Sequence, residues 1–392
     1  MAETPDDICP RPDVMPPQTT QPLAPPLYTS AVYRCQDIEQ AEALMAGQSA
    51  GYIYVRDGNP NADLLADKCR QLHGAERAAI CASGMAALAA GVLSQVSAGD
   101  RVLVSNQLYG RTAQLLITEC GRLGIHSTVV DVCDLKQTEA ALGEKTRLVV
   151  CETITNPLLR TPDLAKLAKA SHAAGALLLV DNTFAGPAVC RPLSLGADIV
   201  MESLTKTMGG HSDVCLGLLC GHEKDWARVP TVLSTWGLAS SPFDCWLAAR
   251  GLSTMALRVR RATETALEAA EFLATQPKLQ AIYYPGLPAH PDHAIAAKQF
   301  GGQFGTVITF TLAGGRAAAD AFIKNARSIP FSPSLGDLST TLSHPESTSH
   351  RGLTPEARAA LGITAGTIRL SIGIESPESI LAALQEGLTG IR

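Results

Sequence analysis

Asp181 closes the apolar run Ala176-Leu177-Leu178-Leu179-Val180, and Lys206 follows within Ser203-Leu204-Thr205-Lys206. A lysine amine can form a Schiff base with an aldehyde, and a carboxylate can keep a proton on a ring nitrogen. Ser203 and Thr205 add hydroxyls suited to a phosphate. Together these meet the needs of pyridoxal 5'-phosphate, whose protonated ring withdraws electrons from an amino-acid carbanion. No other constellation in the chain accounts for as many residues.

Further residues fit this chemistry less specifically. Cys81-Ala82-Ser83-Gly84-Met85-Ala86-Ala87 reads as a turn entering an alanine-rich helix. A helix N-terminus offers free amides and a favourable dipole to an anion, and Gly84 lets the backbone approach closely. Alone, Ser-Gly before a helix is a common cap. Tyr54 and Arg56 lie in Gly51-Tyr52-Ile53-Tyr54-Val55-Arg56-Asp57-Gly58-Asn59-Pro60. Arginine grips phosphate bidentately, although a lone loop arginine usually faces solvent. Tyr109, in Asn106-Gln107-Leu108-Tyr109-Gly110, could stack on a flat ring or simply pack. Arg369 sits in an alternating pattern, and spacing alone favours the solvent face over an anionic ligand.

These residues need a scaffold. Residues 59–256 alternate short apolar runs (102–104, 148–151, 177–180, 199–201 and 215–220) with helical stretches such as 163–173. That alternation predicts a largely parallel sheet covered on both faces. Strand-end polar residues then converge on the ligand crevice, and Glu152, Asp181 and Ser203 hold such positions. Residues 257–392 change texture: a long helix over 257–273, alternating stretches at 307–310 and 368–372, and helices between and after predict a smaller α+β domain. Residues 1–58 read as an arm with a proline-rich start (Pro10, Pro12, Pro16, Pro17) and a short acidic helix around 39–44. With too little apolar periodicity for its own core, the arm must pack elsewhere or on a second subunit.

The chain has 392 residues, 46% hydrophobic and 18% charged, as expected of an ordinary soluble protein of two domains. A net charge of -5 gives no reason to expect nucleic acid or a membrane surface as partner. No apolar run approaches the roughly 18 residues of a membrane span, and no signal peptide is evident. The eleven cysteines include no C-x-x-C pair, so reduced, mostly buried thiols in a cytoplasmic protein are expected, without a metal site. No G-x-G-x-x-G follows the first strand, which argues against a nicotinamide dehydrogenase, and no P-loop occurs. A non-catalytic descendant would have lost cofactor residues, yet Lys206, Asp181 and Arg369 all stand.

The motifs Tyr54-x-Arg56-x-Gly58-Asn59-Pro60, Ser83-Gly84-Met85, Leu108-Tyr109-Gly110, Asn156-Pro157, Val180-Asp181-Asn182-Thr183-Phe184 and Ser203-x-Thr205-Lys206 occur in order. Gly209-Gly210-His211-Ser212-Asp213, Ser334-Leu335-Gly336, His344-Pro345 and Ile368-Arg369-Leu370-Ser371 continue the series. In these the chain resembles the transsulfuration enzymes: cystathionine γ-synthase, cystathionine lyases, methionine γ-lyase and the O-acylhomoserine sulfhydrylases. The resemblance runs from Pro22 to the last helix. It implies pyridoxal phosphate fold type I, aspartate aminotransferase-like, with Lys206 carrying the cofactor and Asp181 pairing with the ring nitrogen. Gly84, Met85, Ser203 and Thr205 would hold the phosphate, joined by Tyr54 and Arg56 from a neighbouring subunit. Tyr109 would stack on the ring and assist proton transfer. Asn156, Ser334 and Arg369 would orient the α-carboxylate of a small amino-acid substrate. A homotetramer of two catalytic dimers is implied.

Three positions depart from the family pattern. Ser339 stands where a glutamate associated with cystathionine binding is usual, so cystathionine handling is in doubt. Arg111 replaces the cysteine of methionine γ-lyases, and either pairs with a distal carboxylate of the substrate or faces solvent. Asn61 replaces a threonine. The expected activity is γ-elimination on methionine, cystathionine or a related amino acid. The alternative is γ-replacement by a cystathionine γ-synthase or an O-acetyl- or O-succinylhomoserine sulfhydrylase.

Overall fold

The computed structural model describes residue 20 and residues 22–391. The prolines at 10, 12, 16 and 17, and the arm before residue 20, lie outside the described residues. Seven strands form the large sheet: β1 (Arg77–Cys81), β2 (Arg101–Ser105), β3 (His126–Val130), β4 (Thr146–Glu152), β5 (Leu177–Asp181), β6 (Ile199–Ser203) and β7 (Gly217–Gly221). Their order is β1-β7-β6-β5-β4-β2-β3. All pairings from β6 to β3 are parallel, while β7 runs antiparallel to both its neighbours.

Both faces of this sheet are buried. Leu103, Val149, Leu178, Val180, Val200 and Leu218 pack with the helices Pro60–His73, Leu164–Ala173 and Pro242–Leu252 on one side. Val102, Val104, Val150, Leu179, Ile199 and Leu219 pack with the helices Gly84–Leu93 and Val229–Thr235 on the other. Successive residues therefore serve opposite cores, and the strands read as continuous apolar runs. Each buried Val or Leu contributes about 1.5–3 kcal/mol of transfer free energy.

The second sheet is antiparallel: β8 (Leu279–Tyr283), β9 (Val307–Leu312), β10 (Thr341–Ser343) and β11 (Thr367–Ser371), in the order β10-β11-β9-β8. One face, through Ile308, Phe310, Leu312, Ile368 and Leu370, packs on the helices Met255–Ala274, Gly315–Asn325 and Pro377–Thr389. The opposite face carries Thr309, Arg369 and Ser343 in register. That face is docked on the large sheet's connections: the Thr309 hydroxyl donates to the Pro157 carbonyl at 2.6 Å. Arg160 and Asp292 add a two-pronged ion pair, at 2.6 and 3.1 Å. The helix Met255–Ala274 serves both cores, with Met255 and Val259 in the large one and Ala262 to Leu273 in the small one.

The arm's described part carries the helix Ile38–Met45, none of whose residues is buried. It is pinned by Asn61, whose side chain accepts from the Tyr28 amide at 2.8 Å and donates to the Pro26 carbonyl at 2.9 Å. Among the described residues, no helix is long and apolar enough to cross a membrane.

Candidate active site

The carboxyl ends of β4, β5 and β6 place Glu152, Asp181 and Ser203 side by side, with Glu152 directly opposite Asp181 in the β4–β5 register. A cavity of about 280 Å³ opens there between the two sheets. Ser83, Gly84, Met85, Tyr109, Asn156, Asp181, Ser203, Thr205, Lys206, Ser334 and Arg369 all line it. Residues spread over nearly 290 positions of the chain thus meet at one point.

Ser83 caps the helix Gly84–Leu93 by accepting from the Ala86 amide, leaving the first amides of that helix free at the cavity. Gly84 is demanded by packing, since a Cβ there would sit 2.9 Å from the Ser203 Cβ. Asp181 is held by the Thr183 amide at 2.9 Å, and the Thr183 hydroxyl accepts from the Ser203 amide at 2.9 Å. Burial raises the Asp181 carboxyl to about 6, against the pull of the Thr183 hydrogen bonds. Such a carboxyl favours a neighbouring ring N–H with which to share the proton.

Lys206 follows β6 in a tight turn, its amide on the Ser203 carbonyl at 3.1 Å. Its Nζ donates to the Ser334 hydroxyl at 3.1 Å. Burial, and then the charge of Arg369, hold its amine below the ordinary lysine range. The turn is clamped by buried Arg258, which donates to the carbonyls of Thr207, Met208 and Gly251 at 2.8 to 3.0 Å. Gly210, at φ +75°, must be glycine here: a Cβ would meet the Arg258 guanidinium at 2.0 Å.

Arg369 is 5% exposed, so the solvent-face expectation from strand spacing is corrected. The alternation is right, because Arg369 does lie opposite Ile368 and Leu370. The face it lies on is covered by the connections of the large sheet, and that burial could not be read from one strand. Its guanidinium donates to the Asn156 Oδ1 at 2.8 Å and to the Ser334 carbonyl at 3.2 Å, and lies 5.6 Å from the centre of the Phe184 ring. Its Nε is buried without a partner, the arrangement a substrate carboxylate would complete.

Three expected residues are not brought into the cavity. Arg111 lies exposed on the first turn of the helix Gly110–Gln114, donating to Gln114 at 2.7 Å. Tyr54 and Arg56 lie outside it, the guanidinium 4.9 Å from the tyrosine ring centre and Nε 3.5 Å from the Ser234 hydroxyl. Ser339 is also exposed and outside.

Glu152 and Thr183 also line the cavity, although the sequence assigned neither a role, and Arg258 supports the Lys206 turn from outside it. The strand-end position was the one signal for Glu152, and the run Asp-Asn-Thr-Phe the one for Thr183. Glu152 is 3% exposed and accepts from the Tyr109 amide at 2.6 Å and the Asn156 amide at 3.0 Å. Burial and Asp181 push its carboxyl up, opposed by those amides and by Arg369. His350, also buried, is pushed down to about 4 by burial and by Arg369. Between the usual value near 6.5 and about 4, the unfolded chain binds a proton there that the native protein does not. Stability from this site is therefore complete above that window and falls as pH drops through it, by about 3 kcal/mol. Thermal midpoints recorded from pH 7 to 4 should decline less steeply in His350→Gln than in the wild type. Equal slopes would remove His350 from the acid response.

Residues 11–389 match the family described as "Cys/Met metabolism PLP-dependent enzyme". O-succinylhomoserine sulfhydrylase of Pseudomonas aeruginosa is 40% identical, covering 93% of this chain and 90% of its own. L-methionine gamma-lyase of Fusobacterium nucleatum subsp. polymorphum is 39% identical over 94% of each. The crystal structure of cystathionine gamma synthase from Xanthomonas oryzae pv. oryzae in complex with aminoacrylate and cysteine superposes with a TM-score of 0.89. It is 36% identical and covers 94% of this chain and 93% of the other. The chain belongs to the Cys/Met metabolism family of pyridoxal phosphate-dependent enzymes. It is an enzyme of the transsulfuration group, which spans γ-lyases and γ-replacing transferases. The cavity fits that cofactor: free helix amides and the Ser203 and Thr205 hydroxyls suit a phosphate, half-buried Asp181 suits the ring nitrogen, and Lys206 offers its amine.

Proposed function

We propose γ-elimination on a thioether amino acid of the methionine type, releasing a thiol, ammonia and a 2-oxo acid. One observation carries this reading most: Lys206 Nζ reaches the Ser334 hydroxyl, while the same residue's carbonyl takes Arg369, whose other arm holds Asn156. Base and carboxylate grip are thereby set against each other in one cavity. Among the described residues, the cavity's only carboxylates are Asp181 and Glu152, both engaged by backbone amides. That disfavours a substrate with a distal ammonium, such as cystathionine, and agrees with Ser339 lying outside.

Bound pyridoxal phosphate supplies the electron sink for charge developed at Cα. In this reading Gly84, Met85, Ser203 and Thr205 hold its phosphate, Asp181 keeps a proton on its ring nitrogen and Tyr109 stacks on the ring and assists proton transfer. Arg369, Asn156 and Ser334 orient the substrate carboxylate, so that its Cα–H faces Lys206. Lys206 takes that proton as general base, its lowered amine pKa favouring the neutral form. Tyr54 and Arg56 complete the phosphate site from a neighbouring subunit of a cytoplasmic homotetramer, while Arg111 stays in solvent. A monomeric mass by light scattering would contradict the shared site.

The second reading, γ-replacement on an O-acylhomoserine, is favoured by the 40% identity to the sulfhydrylase. Incubation with methionine, cystathionine and O-acylhomoserine, with and without thiol, separates the two. We expect 2-oxo acid and ammonia from methionine without added thiol. Product appearing only as a thiol-dependent thioether from O-acylhomoserine would overturn the elimination reading.

A further inference from the structure

We propose that Glu152 is a positioning residue: one buried carboxylate, bound to the backbone amides of Tyr109 and Asn156, sets the phenol and the carboxylate grip relative to each other. The inference rests on the roles proposed above for those two residues. Tyr109 and Asn156 arrive from different connections, one after β2 and one after β4. Their amides converge on separate oxygens of Glu152, Oε1 at 2.6 Å and Oε2 at 3.0 Å. Tyr109 opens the helix Gly110–Gln114 without any side-chain cap, so Glu152 is what holds its N–H.

Burying a carboxylate this deeply costs several kcal/mol unless donors meet it. Here two amides do, with Arg369 of β11 as the nearby cation and Asp181 of β5 as the opposing anion. A carboxylate gives each amide its own acceptor oxygen. A carboxamide gives one and turns its NH2 against the other amide. Aspartate is one methylene too short to span both loops. The side chain type is therefore matched to a two-donor brace, not merely to a buried polar position. Small shifts matter at such a brace, since a misplacement of about 1 Å costs about 100-fold in rate.

The test uses cofactor-loaded Glu152→Gln, Glu152→Asp, Tyr109→Phe and the double variant Glu152→Gln/Tyr109→Phe, assayed on whichever amino acid the substrate panel selects. Glu152→Gln should keep the visible absorbance of the bound cofactor while kcat/KM falls about 10- to 100-fold. The KM rise reports the Asn156 arm and the kcat loss reports the Tyr109 arm. In the Tyr109→Phe background, Glu152→Gln should cost less than about threefold more in kcat, because the phenol it positions is already gone. Glu152→Asp, which keeps the charge and one arm, should fall between wild type and Glu152→Gln. Wild-type kcat/KM in Glu152→Gln, or an undiminished loss in the double variant, would overturn the proposal. So would failure of both Glu152 variants to hold the cofactor, which would make Glu152 a folding residue. Wild-type rates in Tyr109→Phe alone would overturn the role proposed for Tyr109, and this inference with it.

Discussion

Arg369→Ala should raise KM for α-amino acids by about 100- to 1,000-fold while the variant still binds the cofactor. The guanidinium is buried, holds the Asn156 side chain and keeps Nε without a partner. A substrate carboxylate meeting this buried guanidinium forms charge-assisted bonds, and losing one partner of such a pair costs about 3–5 kcal/mol. At about 1.4 kcal/mol per tenfold, the lower part of that range gives the stated change in KM. Lysine at this position should recover little, since it offers a point charge in place of the planar fork. The check is steady-state kinetics on the substrate and on its analogue lacking the α-carboxylate. The analogue should lose the difference between wild type and variant. A KM within threefold of wild type would place the carboxylate grip elsewhere.

Lys206→Ala should lower turnover by about 10⁴-fold or more, because in the proposed reading the general base and the covalent anchor of the cofactor leave together. The neighbouring groups do not replace it: Ser334 offers a hydroxyl and Arg369 stays cationic throughout. Borohydride reduction followed by peptide mass analysis should find the pyridoxyl adduct on Lys206 in the wild type and on no residue of the variant. Turnover within tenfold of wild type, or an adduct on another lysine, would remove Lys206 from its role.

Much of the seven-stranded sheet was legible from apolar runs alone. The runs at 102–104, 148–151, 177–180 and 199–201 are strands β2, β4, β5 and β6, each extended by one to three residues. A sheet buried on both faces needs unbroken apolar stretches, and those stand out. The 163–173 stretch is the helix Leu164–Ala173 with Asp163 as its cap. Strands β1, β3, β8 and β10 were not marked. Arg77-Ala78-Ala79-Ile80-Cys81 has alanines at its centre, His126-Ser127-Thr128-Val129-Val130 is an edge strand with polar residues, and β10 spans only three residues. Such strands form because neighbours supply the pairing, which local propensity does not reveal. The run at 215–220 is displaced to Gly217–Gly221 and lies antiparallel between β1 and β6.

The site divides in the same way. Residue types and their order were enough to mark Lys206, Asp181, Ser203 and Gly84 as candidates, and the fold brings all four to one cavity. Arg369 was different. Its alternation put it on the polar face of β11, but whether that face meets water depends on what docks against it. The Glu152 brace is equally invisible in one dimension, since it joins backbone amides 47 positions apart through a side chain that looks like any strand-end acid. Local chemistry and periodicity are written into neighbouring residues. Burial and convergence belong to pairs of surfaces, and these come together once the two sheets close over the cavity.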